Sequence, residues 1–160
     1  VHNLLPGKIG VALVTVFSTF LIYGNSIQNL LDQNAMEEGK NASVTMFTQV
    51  IDDLKEAGAL SEGHEVFFIG KPYYNKTFKV SPLFDQANSY AKVGNFTSSG
   101  DGMYLFYNAL LNKLMQINVP VAYETYEDKA YDEYYQSMPC YPEDGYFVVW
   151  DTVIVKISEP

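Results

Sequence analysis

"KIGVALVTVFSTFLIYGNSIQNLLDQ", residues 8–33, carries no charged side chain between Lys8 and Asp32. From Ile9 to Tyr23 the apolar run is broken only by small residues and by the hydroxyls of Thr15, Ser18 and Thr19. As a helix rising about 1.5 Å per residue, the stretch to Leu31 reaches roughly 34 Å, enough for a hydrocarbon core of about 30 Å. A secretory signal would need a small-x-small cleavage site, and "YGNSIQN" offers none. An interfacial helix would show a Lys-rich polar face, which is missing. A buried core helix also accommodates an apolar run of this kind. The reading that best answers the length and the missing charge makes residues 1–31 the last transmembrane helix of a larger protein and residues 32–160 a separate domain. Lys8 and His2 precede the run, whereas Asp32, Glu37 and Glu38 come after it, so the positive-inside tendency puts residues 32–160 outside the cytoplasm.

Composition narrows the function classes. The 160-residue chain has a net charge of -9 and no arginine, so it lacks the basic surface that a phosphate backbone demands, and nucleic acid is not an expected partner. With 13 Tyr and 10 Phe, there is more aromatic surface than a small core readily buries. Exposed tyrosines suit a protein or carbohydrate surface, though half-burial explains most of them. Cys140 is the single cysteine, so no intrachain disulfide forms. Asn41, Asn75 and Asn95 begin N-x-S/T triplets, which are glycan acceptors in a eukaryotic secreted protein and arise readily by chance in an Asn-rich chain.

Periodicity supplies the elements. Residues 25–57 read as helix, with Ile27, Leu30 and Leu31 on one stripe and Phe47, Val50, Ile51 and Leu54 on another. Gly39 marks a kink or break between them, Asn41 or Ser43 a new start, and Gly58 the stop. Val66–Ile69 is a continuous apolar run ended by Gly70 and Pro72, as in a strand of a parallel sheet buried on both faces. Residues 73–100 read as loop. "DGMYLFYNALLNKLM" reads as a helix with Met103, Phe106, Ala109, Leu110 and Leu114 on one face, capped near Ser99 or Asp101. Val119–Tyr123 is a short strand candidate. The acidic start of "EDKAYDEYYQSM" suits a helix presenting Ala130, Tyr131, Tyr134 and Tyr135. "GYFVVWDTVIVKIS" reads as two strands turning at Asp151 and Thr152. The expected fold is α/β: a small, partly parallel sheet with flanking helices and a C-terminal antiparallel hairpin, preceded by the membrane or stalk helix.

Catalytic signatures are sparse. "IGKP" at 69–72 places a Gly and a Lys after a strand but lacks the earlier Gly, the loop length and the Ser/Thr of a phosphate loop. No GxGxxG, HxxxH, CxxC or D-x-D pattern occurs; His2, His64 and Cys140 are widely separated, so no metal site is expected. His64, beside the strand, reads as an exposed loop residue. Asp52 and Asp53 point in different directions on a helix. Glu124, Glu127, Asp128, Asp132 and Glu133 crowd together, yet an acidic solvated helix explains them and the catalytic residues stay unknown.

The tail carries a resemblance. "YYQSMPCYPEDGYFVVWDTVIVKIS" is similar to the C-terminal ending of bacterial glucosyltransferase domain-containing multi-spanning membrane proteins, relatives of the phage-type O-antigen glucosyltransferases. The matching positions are Met138, Pro139, Tyr141, Pro142, Gly145, Val155, Lys156 and Ile157, with "VIDDLKE", "VFFIG" and the "GNF" of 94–96 as further likenesses. The resemblance implies a polyprenyl-phosphate sugar as donor, a cell-surface glycan as acceptor, and upstream transmembrane helices of the same protein as partners. It places the chain at the bacterial cell membrane, as an extracytoplasmic domain without its own cofactor. Catalytic carboxylates belong, on this resemblance, to an earlier loop not contained in this sequence, so the domain is not catalytic alone. Tyr73, Tyr74, Phe96 and Tyr141 are the candidate substrate-binding residues, on aromatic stacking. A glycan- or protein-binding accessory domain is the alternative. A free-standing cytosolic enzyme whose first helix is buried is a third reading.

Overall fold

A computed structural model describes residues 7–60, 63–82, 84–91, 103–122, 133–143, 146–149 and 151–159. Gly7–Glu56 forms one helix of 50 residues, α1, about 75 Å long. Its halves meet different surroundings. In the first, an 18-residue window of mean hydropathy 1.6 is 0% buried, and Val11, Phe20 and Tyr23 are each at least 65% exposed. The helix is therefore long and apolar enough to cross a membrane, and no described residue covers that segment. In the second, Ala35, Gly39, Ala42, Ser43, Met46, Phe47, Val50, Ile51 and Leu54 form a buried stripe at helical spacing.

The helix does not break at Gly39. Glycine costs about 1 kcal/mol against alanine inside a helix, and a single one is readily outweighed by the burial on either side of it. Ser43 starts no new helix either, because its Oγ donates to the Gly39 carbonyl at 2.8 Å instead of capping a free N–H. The stop at Gly58 is as expected. Its φ of 68° lets Gly58 N donate to Lys55 O and Ala59 N to Leu54 O, the paired bonds of a Schellman ending.

Strand β1 (Glu65–Ile69) pairs in parallel with β3 (Thr152–Lys156), Phe67 lying opposite Ile154. β2 (Tyr146–Val149) lies on the other side of β3 and runs antiparallel to it, Tyr146 opposite Val155, giving the order β1-β3-β2. Thr152 already pairs with Val149, so it belongs to the ladder and not to the turn. Val121 adds a single parallel bridge to Val66, which is all that the described part of the Val119–Tyr123 candidate contributes.

Both sheet faces are covered, as the unbroken apolar run of β1 anticipates. Val66, Phe68, Val153, Val155 and Ile157 meet the α1 stripe. Phe67, Ile69 and Ile154 meet Ala122, Met138 and Tyr135 on the other side. At the centre Phe47, Phe68 and Tyr107 form an aromatic triangle with centroids 4.6–5.4 Å apart. Each such contact adds about 0.5–1.5 kcal/mol beyond burial.

The helix after residue 100 presents another face than its 3.6-residue period implies. Met103–Asn108 (α3) continues as a π-helical stretch, Ala109–Leu114, closed by Met115 N donating to Leu110 O. The wider turn rotates the later side chains around the axis, so Tyr107, Leu110 and Leu111 are buried while Ala109 and Leu114 are exposed. Residues 73–100 are also less loop-like than expected: Pro72–Tyr74 form a 3-10 turn and Phe84–Tyr90 form α2, packed on α1. Glu133–Gln136 is a helical turn, α4, and residues 127–132 of that acidic segment, with Ala130 and Tyr131, lie outside the described residues.

Candidate functional site

Three segments far apart in sequence converge beside the C-terminal end of β3. "YNK" at 74–76, "CYPE" at 140–143 and "ISE" at 157–159 line an open cleft of about 420 Å³. Asn75 holds them together. Its side chain is 5% exposed, and its Nδ2 donates to Tyr141 O at 2.8 Å and to Ile157 O at 2.5 Å. Its Oδ1 accepts from Thr77 N and Thr77 Oγ1, an Asx-type turn that fixes the amide. Held by these four bonds, Asn75 is a structural amide, buried where a sequon would require it accessible.

The cleft is anchored to the core at both sides. Tyr141 donates its OH to Asp53 Oδ2 of α1 at 2.5 Å, and its N–H to Lys156 O at 2.7 Å. Burial first, then the Asp53 carboxylate, push the Tyr141 phenol well above its ordinary range. Gly70, with φ of 90°, lets the chain after β1 run against Ser158: a Cβ there would overlap the Ser158 backbone. Lys71 N donates to Ser158 Oγ at 2.8 Å, and Tyr107 OH to Gly70 O at 2.7 Å. The "IGKP" segment thus serves as a tight splice between strand and cleft wall.

Charge is arranged at two depths. Lys76 and Glu143 pair across the exposed rim, and the Lys76 ammonium lowers the Glu143 carboxyl below its usual range. Beneath, Lys156 is fully buried, with Nζ 2.9 Å from Gln136 O and 2.9 Å from the exposed Glu159 carboxylate. Cys140 Sγ lies 3.8 Å from Glu159 Oε1. Burial and then Glu159 raise the Cys140 thiol, so it stays protonated at neutral pH and is a poor nucleophile.

The candidate residues separate in this geometry. Tyr74 is 67% exposed and lines the cleft, with Lys71 Nζ 5.9 Å from its ring centre. Tyr141 forms part of the wall with little free surface. Tyr73 turns away from the cleft, packing on Phe78 and Phe84 with its OH 3.3 Å from Asp85; burial and that carboxylate raise its phenol. Phe96 lies outside the described residues. Sequence pattern does not single out Asn75, Lys76, Glu143, Ser158 or Glu159 as binding residues, although "NKT" at 75–77 carries an Asx-turn signal. His64 is half-buried, its Nδ1 2.7 Å from Ala59 O, so it braces the loop after α1. Among the described residues no group of at least 3 His, Cys, Asp or Glu side chains is placed to hold a metal ion. No protein-family model, curated protein or solved structure matches the chain.

Proposed function

We propose that the chain is the C-terminal, extracytoplasmic, membrane-attached domain of a glycosyltransferase that takes a glucosyl group from a polyprenyl-phosphate carrier and delivers it to a cell-surface glycan. The domain is not catalytic alone. The observation that carries the reading is the uncovered apolar half of α1, continuous with the half that forms the core. A helix built this way ties the domain rigidly to whatever surrounds residues 7–31. The tail resemblance supports the transferase assignment, with Tyr141 and Pro142 of its Met-Pro-x-Tyr-Pro segment lying at or beside the cleft.

A second reading, a glycan- or protein-binding accessory domain without transferase activity, draws on the cleft itself. Fractionation of the chain with and without residues 1–31, followed by size-exclusion chromatography, tests the attachment. The long form is expected to require membrane or detergent, and residues 32–160 to be soluble and folded. A long form that is soluble, and that unfolds when shortened, overturns the reading. Loss of glucosyl transfer when residues 32–160 are deleted from the upstream membrane protein, with none of it supplied by the domain alone, separates the transferase reading from the accessory one.

A further inference from the structure

We propose that α2 is a membrane foot: its last turn, with Tyr90, lies in the headgroup layer beside α1 and gives the domain a second contact, with a zwitterionic bilayer surface. This rests on the proposed membrane attachment and deepens it. Exposed apolar side chains run along α1 as far as Ile27 and Leu30, 42% and 57% exposed, and the first carboxylate follows at Asp32. From Ile9 to Leu31 the helix rises about 33 Å, or about 31 Å at an ordinary tilt near 20°, against a hydrocarbon core of about 30 Å. In that attachment the far boundary of the core falls at Leu31. α2 descends to this level. Its approach is held at Glu38, whose Oε2 accepts from Ser81 N at 3.2 Å, and its end at Gln28, whose Nε2 donates to Tyr90 O at 3.0 Å. From Glu38 back to Gln28 is about 15 Å along α1, so α2 runs antiparallel to it and points its C-terminal end at the apolar half. Gln28 thereby satisfies a carbonyl that the end of a helix leaves open, within about 5 Å of the boundary.

The chemistry of that end fits the layer. "QANSYA", residues 86–91, is uncharged, with Asp85 before it and Lys92 after it. Ser89 Oγ donates to Gln86 O at 2.7 Å, so its hydroxyl loses little on leaving bulk water. Phe84, at the start of α2, is 1% exposed and packs on Tyr73, whereas Tyr90 is 64% exposed. One short helix thus buries the aromatic at its domain end and exposes the aromatic at the end beside the apolar run. A tyrosine there sets its ring against the upper acyl chains and its hydroxyl among the headgroups, the division of polarity that gathers tyrosines at membrane interfaces. With no basic cluster to select anionic lipid, the surface suits a zwitterionic layer.

Nuclear magnetic resonance of the full chain in zwitterionic nanodiscs tests the foot, with a paramagnetic agent carried on lipid headgroups and, separately, one dissolved in water. The amides of Ser89 and Tyr90 are expected to be relaxed by the lipid-borne agent and shielded from the dissolved one, as Gln28 is. Those of Gly58 and His64, beyond the other end of α1 and about 40 Å farther along it, are expected to show the reverse. In Tyr90→Ala the shielding of Ser89 is expected to fall several-fold, and in Tyr90→Trp to persist, since Trp suits the interface equally. Ser89 and Tyr90 relaxed by the dissolved agent as strongly as Gly58, while residues 9–23 stay shielded, would overturn the foot and leave the attachment standing. So would shielding unchanged in Tyr90→Ala, or lost equally in Tyr90→Trp. Shielding that follows the number of chains per nanodisc would assign this face to a second copy and overturn the foot likewise. A chain that does not enter nanodiscs at all overturns the attachment first, and the foot with it.

Discussion

At the level of single residues, the cleft depends on positions whose importance is not proportional to their chemistry. Gly70 has neither charge nor hydrogen-bonding side chain, yet its φ of 90° and its approach to Ser158 exclude any side chain. Gly70→Ala is expected to destabilise residues 32–160 by about 2–5 kcal/mol in urea unfolding, combining backbone strain with overpacking. Gly58→Ala, at φ 68° but in open space, is expected to cost only about 1 kcal/mol. Tyr141 gives a pH signature. Its folded-state phenol is raised above the ordinary value of 10.0, so the folded chain keeps a proton that the unfolded chain releases. Its contribution is complete below about pH 10 and is lost as pH rises beyond that. Tyr141→Phe is expected to cost about 1–2 kcal/mol at neutral pH through the lost bond to Asp53, and to flatten the fall in stability above pH 10. An alkaline limb unchanged in the variant would show that the Asp53 contact does not set it. Sequence makes Tyr74 and Tyr141 legible as aromatic candidates. It cannot reveal Asn75, because a buried, fully bonded amide and an exposed one are written with the same letter.

Elements are legible where burial pattern and period agree. Val66–Ile69 is apolar on consecutive positions because both faces of the sheet are covered, and the stripe from Met46 to Leu54 keeps helical spacing because it faces one core. Where a local signal competes with tertiary packing, packing wins: Gly39 stays within α1, and the π stretch at Ala109–Leu114 buries Leu110 and Leu111 where a 3.6-residue period would bury Ala109 and Leu114. Lys156 shows the same competition inside β3. It lies on the same face as Ile154, where an apolar residue is the ordinary choice, and its ammonium instead reaches the Gln136 carbonyl of α4 and Glu159. Volume at that point should matter more than charge, since Glu159 returns to solvent when the ammonium is removed. Lys156→Met is expected to cost less than about 1.5 kcal/mol and Lys156→Ala about 2–5 kcal/mol by chemical denaturation. Equal losses in the two variants would instead assign the stabilisation to the bond with Gln136.

For the whole molecule, charge and hydropathy divide at the same place along the chain. Lys8 is the only Lys, Asp or Glu before Asp32, so the entire acidic balance falls on the domain and almost none on the apolar helix. Attraction to an anionic lipid surface is therefore not available to this chain, and in the proposed membrane attachment it is hydrophobic transfer of residues 7–31 that supplies the energy. The hydroxyls in that segment already turn inward: Thr15, Thr19 and Ser26 donate to the carbonyls of Val11, Thr15 and Ile22, each at 2.9 Å, leaving less polar surface to desolvate. A helix that spans and one that lies on the surface differ in what a protease can reach. Exhaustive digestion of the full chain in sealed proteoliposomes is expected to leave a protected fragment of about 20–25 residues containing Ile9–Tyr23, unaffected by washing in high salt. Complete digestion of that segment, or its release by salt, would instead place the helix at the surface and overturn the spanning reading.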